Sequence, residues 1–295
     1  MPARPSSDPA AAAAALPAPA TAPLVGAVAR RARTRRVRSL QRFVATVVAL
    51  AALAAALDVL AIPLDRLPGI AGRMAEVLAR RYWPPEIAHV SRPDYLRAFL
   101  QTLQMSFAAT AVGLVLAAPL AWLAAFNVSP ARRLGHPLAR LALTAARSVH
   151  EMVWTILLVT IVGFGMLAGT LALTIFCVGF AGKLFAEAVE SIDPGPVEAI
   201  RATGAGPLQI MLFAVLPQVR VAWAGIAVYT WDAVFRAATI IGFFGAGGMG
   251  TFLRESVQRV ESQQVAAIIL SIVAVVVAAE LLSSWTRAWI ADAAA

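Results

Sequence analysis

Long apolar blocks broken by short charged stretches dominate this chain. No Asp, Glu, Lys or Arg occurs between Arg97 and Arg132, or between Glu151 and Lys183. Roughly 20 predominantly apolar residues suffice to cross a bilayer as a helix. The pattern predicts six spans: Arg42 to Leu64, a second starting near Phe99, 149–165, 168–189, Gln218 to Phe235, and Gln264 to Trp285. The third and fourth come from one uncharged run that Gly163, Gly165 and Gly169 break; taken as a single kinked helix, it would leave five. Asp58 interrupts the first span. A charge within a span costs about 2.5–3.5 kcal/mol on insertion scales, so Asp58 is expected against protein or near the outer interface.

The polar stretches orient the spans. Arg132, Arg133, Arg140 and Arg147 mark a cytoplasmic loop, because short loops rich in Arg stay inside. Lys183, Glu187 and Glu190 end the fourth span, which places the loop from Glu190 to Pro217 in the cytoplasm too. Arg254, Glu255, Arg259 and Glu261 mark an outer loop, and the sixth span ends at Arg287 with Glu280 near its cytoplasmic end. Residues 65–97, mixed in charge, are expected outside, partly as an interfacial helix around Tyr82 and Trp83. Both termini then lie in the cytoplasm.

Composition agrees with a polytopic membrane protein: 60% hydrophobic, 14% charged, mean hydropathy +0.76. A soluble domain carries about 25% charged residues. The net charge of +9 sits largely in the N-terminal tail, where Arg4, Arg30, Arg31, Arg33, Arg35, Arg36, Arg38 and Arg42 face only Asp8. It therefore implies no nucleic-acid partner. Residues 1–40 are Ala/Pro-rich and then Arg-rich, cannot bury a core, and are expected to be disordered. The apolar run that follows is too long for a signal peptide and reads as an anchor. The expected organisation is a tail over 1–40, a first span and extracytoplasmic segment over 41–98, and a core over 99–290. Cys177 is the only cysteine and can form no internal disulfide.

Two constellations stand out. The first is Glu198-Ala199-Ile200-Arg201-Ala202-Thr203-Gly204, followed by Leu216-Pro217. Gly204 is a helix terminator. Pro207 suits the first turn of a second short helix, Pro207 to Leu216. Two short helices with a kink would form a knob on the membrane surface. This pattern resembles the EAA loop of ABC-importer permeases, with Ile200 where a second Ala is usual and Ala214 where Ile is usual. The resemblance implies an all-α polytopic membrane helical bundle with the type I ABC-importer permease fold. It also implies that Glu198, Ala199, Gly204, Leu216 and Pro217 couple the chain to a cytoplasmic ATPase.

The second is Asp232 and Arg236, which share a helix face at i,i+4 and can pair, followed by an uncharged glycine-rich stretch from Ala237 to Gly250. Irregular backbone at membrane depth lines a cavity or is buried in protein. Two readings stay open: a substrate pathway or gate at Asp232, Arg236, Gly242, Gly245, Gly247 and Gly248, or close packing. The stretch from Arg236 to Gly250 is similar to a segment of phosphonate-importer permeases, and weaker forms occur in methionine and betaine permeases. Arg147-Ser148 through Glu151, Gly163 and Gly165, then Gly182-Lys183-Leu184-Phe185 through Glu187 and Glu190, point the same way, as does Gln101-Thr102-Leu103-Gln104-Met105. His150 stands where that family has Pro, and is expected to be an ordinary hydrogen-bonded His at a helix end.

Catalytic and metal signatures fail. Gly182-Lys183 lacks the earlier Gly and the following Ser/Thr of a phosphate-binding loop: Cys177 and Leu184 stand there. His89, His136 and His150 are scattered, so no metal site is expected, nor is any cofactor. The resemblance implies a transport subunit of a bacterial inner-membrane importer, not an enzyme. Its partners would be ATPase subunits, an extracytoplasmic substrate-binding protein and a second permease chain. A phosphonate is the first expectation for the cargo, with phosphite, phosphate, methionine or a betaine as alternatives, and a membrane scaffold or enzyme as the remote one.

Overall fold

The computed structural model describes residues 40–56 and 67–292, and every regular element among them is helical. The tail before residue 40 and Asp58 fall outside the described residues. The helices are α1 (Leu40–Ala56), α2 (Leu67–Val77, continued by a π turn over Leu78–Tyr82), α3 (Ile87–Val90), α4 (Pro93–Ala124), α5 (Gly135–Ser148) and α6 (Glu151–Val162). Then come α7 (Met166–Glu190), α8 (Pro194–Ala202), α9 (Pro207–Ile210), α10 (Leu216–Ile241), α11 (Met249–Gln258) and α12 (Ser262–Asp292). The chain divides into two compact units, Met1–Gly72 and Arg73–Ala295. In the first, α1 is an apolar helix of at most 17 residues, covering the first part of the expected initial span.

In the second unit, four apolar runs are long enough to cross a membrane: Pro93–Ala124, Met166–Glu190, Pro207–Gln258 (which contains α10) and Ser262–Asp292. A bent pair, α5 with α6 at 89°, is the fifth candidate. The expected break at Gly163 and Gly165 is present, and both glycines have positive φ. The expected third span is shorter than its apolar pattern suggests. The 12 residues of α6 reach only about 18 Å at 1.5 Å per residue, against about 30 Å of hydrocarbon. Its partner α5 covers the stretch expected as a cytoplasmic loop. That helix buries Ala139 and Leu143 and exposes Leu138 and Leu141, the pattern of a helix lying in the interface. Arginine count reads sidedness but not whether a basic segment is helical.

The spans run longer than hydropathy alone suggested, since a charge does not stop a helix. The fifth starts at Leu216 and continues to Ile241, and the sixth extends from Ser262 to Asp292. The second knob helix is also different. The α9 turn runs through a π turn over Met211–Val215 straight into α10, with the Leu216 amide bonded to Met211 O. Pro217 has no amide to donate, and the wider turn just ahead of it lets the helix continue.

Neighbour relations follow from side-chain contacts. The α4 and α7 helices run parallel, with Asn127 Nδ2 donating to Val189 O at 2.8 Å beyond the end of α4. They cross closely, since a Cβ at Gly113 would lie 2.5 Å from Cys177 Cβ. The α10 helix runs antiparallel to α7: Trp223 stacks on Phe185 at 4.4 Å and Phe180 meets Tyr229 at 5.6 Å. The α12 helix runs antiparallel to α10, with Arg287 over the Tyr229 ring at 5.6 Å. The centre is filled by Met105, Leu173, Cys177, Val234, Ala238 and Ile241. Lipid is as apolar as these side chains, so close packing rather than hydrophobicity is what favours their association.

Candidate functional site

The residues with motif signal gather at two places on α10. Leu216 begins the helix and Arg236 lies about 30 Å along it. The first place is the knob of α8 and α9. Asp193 caps α8, its Oδ1 accepting from the Gly195 amide at 2.9 Å, and Pro194 occupies the first turn. The helix ends where Gly204 adopts φ +82°, with its amide bonded to Arg201 O at 3.0 Å. Val197 is buried and Ile200 half-buried against Ile210, Met211, Ala214, Val215 and Val219. Helical spacing then turns Glu198, Ala199 and Arg201 outward, and Gly204 is exposed with them. Ile200 fills space beneath the knob, which accounts for an apolar residue larger than Ala there. Leu216 packs half-buried on the same cluster, and Pro217 is exposed.

Two polar side chains, Gln218 and Glu190, tie the knob end to the bundle. Gln218 Oε1 accepts from the Asp193 amide at 3.1 Å, and its Nε2 donates to Asp193 O at 3.4 Å and Ala214 O at 2.8 Å. Glu190 Oε1 accepts from the Phe126 amide at 3.1 Å and pairs with Arg140. Glu190 belongs to the stretch that resembles the permease family, whereas Gln218, a polar residue at the rim of an apolar block, could not be picked out beforehand. Gln218→Leu removes three hydrogen bonds. Hydrogen exchange over residues 191–206 is expected to rise about tenfold, for a loss of about 1–2 kcal/mol, with the bundle amides unchanged.

The second place is a charged cluster. Arg236 Nη2 donates to Asp232 Oδ2 at 2.6 Å and lies 3.5 Å from Glu280 Oε2 of α12. The Asp232 side chain is only 4% exposed, whereas those of Arg236 and Glu280 are 50% and 58% exposed. Asp232 Oδ1 is buried without a hydrogen-bond partner. Two carboxylates therefore share one guanidinium that reaches the molecular surface. The pairing of Asp232 with Arg236 was legible from spacing; Glu280 was not, because it comes from another helix.

Beyond Arg236 the glycines form a tight hairpin. A 3₁₀ turn over Gly242–Phe244 leads to Gly245, Gly247 and Gly248, all at positive φ. Gly245 and Gly248 are buried. The Gly245 amide is bonded to Gly242 O at 3.0 Å, and the Met249 amide to the Thr102 hydroxyl at 3.0 Å. The hairpin in turn accepts the Gly165 amide at Gly245 O, 3.0 Å away. These bonds knit the hairpin to the junction between α6 and α7 and to the interior of α4. His150 caps α6 by accepting from the Met152 amide at 3.3 Å, the ordinary helix-end role expected of it.

Comparison with known proteins decides the family. Residues 94–293 match the model of the binding-protein-dependent transport system inner membrane component. The chain belongs to that family. The permease is 43% identical over 228 residues to the phosphite transport system permease protein PtxC of Stutzerimonas stutzeri, covering 76% of this chain and 78% of that one. It is also 43% identical over 117 residues to the putative cryptic phosphonate transport system permease protein PhnE2 of Escherichia coli K12, covering 40% of this chain and 96% of that one. Among solved structures, an inward-facing form of the MetNI methionine ABC transporter superposes with TM-score 0.56 at 22% identity, covering 66% of this chain and 95% of that one. That likeness fixes the fold. It bears out the expected all-α, type I importer permease architecture, while the family match and the apolar runs place the chain as a multi-pass inner-membrane protein.

Proposed function

We propose that the permease carries a small phosphorus oxyanion inward by alternating access, with a phosphonate or phosphite as cargo. The observation that supports coupling is the outward face of the knob, where Glu198, Ala199 and Gly204 stand exposed above an apolar cluster. A cytoplasmic ATPase would dock on this face, and α10 would carry its movement to Arg236. An extracytoplasmic binding protein would deliver the cargo at the other end, and a second permease chain would complete the pathway. The cargo class is supported by the phosphite and phosphonate systems of the relatives.

In this reading Asp232, Arg236 and Glu280 line the pathway, and the hairpin of Gly242, Gly245, Gly247 and Gly248 is the hinge of its gate. The oxyanion would displace the exposed Glu280 from Arg236 and take up its paired hydrogen bonds. The knob can be tested without strain. Gly204 has open space around it and a left-handed φ that asparagine tolerates. In cells dependent on imported phosphite or methylphosphonate, Gly204→Asn should abolish growth and labelled uptake while membrane insertion and Tm stay unchanged. Normal uptake would remove the docking role. Uptake of neither anion by the unaltered protein with its partners would remove the cargo.

A further inference from the structure

At the knob end, α4, α5 and α7 enclose a cavity of about 360 Å³ that neither constellation uses. Arg140, Arg147 and Lys183 line it, with Glu187 and Glu190. Arg140 is fixed, its Nε donating to Ala124 O at 3.1 Å and its guanidinium pairing with Glu190. Lys183 lies 3.5 Å from Glu187. Arg147 makes no hydrogen bond or ion pair among the described residues. Its stem nevertheless packs on α7 at Gly179, where an added Cβ would come within 2.7 Å of Arg147 Cγ. Three cations thus face two carboxylates, and the free positive charge belongs to a side chain whose stem is held in place.

We infer that this cavity binds a singly charged phosphorus oxyanion, held by Arg147 and Lys183 with Arg140 behind them. Arg147 lies seven residues after Arg140, on the same face of α5, while Leu138 and Leu141 are 60% and 65% exposed. The mouth therefore opens where an apolar surface meets a basic one, the setting in which basic pockets between helices take anionic lipid headgroups. A phosphodiester carries one negative charge, which matches the single uncompensated cation. Free phosphate monoanion shares that chemistry. Bound there, the anion would tie α5 to the end of α7, next to Glu190 and three residues ahead of the Asp193 cap. The inference does not depend on the identity of the cargo.

The test is a binding measurement on the purified full-length permease. Native mass spectrometry should show phosphatidylglycerol retained over phosphatidylcholine, with Tm raised by phosphatidylglycerol. Arg147→Gln and Lys183→Gln, both at exposed positions, should each lower retention about tenfold or more, as expected for loss of a charge-assisted contact. If inorganic phosphate raises Tm, phosphatidylglycerol does not, and Arg147→Gln abolishes the response, the site stands with a free anion as its occupant. The inference is overturned if neither probe shifts the unaltered protein, or if both variants respond as it does.

Discussion

Gly242→Val is expected to open the hairpin end of the bundle and to destabilise the protein by about 3 kcal/mol or more, beyond the usual range for overpacking. A Cβ at Gly242 would lie 2.2 Å from Gly247 O and 2.9 Å from both the nitrogen and the Cα of Gly250. Gly250 faces it, and a Cβ there would lie 2.6 Å from the Phe243 nitrogen. All these neighbours are backbone, so no side chain can rotate away. The two arms of the hairpin must separate, and the bonds from Met249 to Thr102 and from Gly165 to Gly245 are lost with them. Gly225→Ala on α10 is the control. Nothing lies within 4 Å of a Cβ there, and alanine favours a helix over glycine by about 0.5–1 kcal/mol. Thermal unfolding of the detergent-purified variants should show a clear loss for Gly242→Val and no loss for Gly225→Ala. Equal Tm values would mean that the hairpin is not the packed element described here.

The features legible beforehand were those written in local sequence. Charge-free runs marked the apolar blocks, Gly163 and Gly165 marked the break between α6 and α7, and the Glu198–Gly204 spacing marked the knob. Spacing also paired Asp232 with Arg236. What stayed hidden depends on neighbours distant in the chain. The helical state of α5 is decided by burying Leu143 against the bundle, and its arginines signal only which side of the membrane they prefer. Thr102 stood in a stretch that resembles the permease family, but its partner, the Met249 amide, comes from 147 residues away and was not legible. The π turn ahead of Pro217 is a compromise between a proline and a helix that continues through it, and proline alone read as a boundary. The glycine-rich stretch was the hardest case, because a gate and close packing can be written with the same glycines. Gly245 and Gly248 are buried within the hairpin, whereas Arg236 reaches the molecular surface.

Arg236→Gln is expected to abolish uptake and to cost about 3–5 kcal/mol of stability, the usual penalty for stranding a buried charge. Asp232 is 4% exposed, one of its oxygens lacks a partner, and Arg236 lies 2.6 Å from the other, so removing Arg236 leaves a buried carboxylate without its paired cation. The loss of uptake alone would not separate a pathway role from structural neutralisation. The double variant Asp232→Asn with Arg236→Gln does so, because it removes both charges and leaves groups of similar shape that can still hydrogen-bond. Its Tm should return most of the way to that of the unaltered protein. If Arg236 meets the oxyanion, uptake stays lost despite the recovered fold, and the two readouts come apart. If uptake returns along with Tm, the pair serves only to neutralise itself within the bundle, and the anion must travel past other residues.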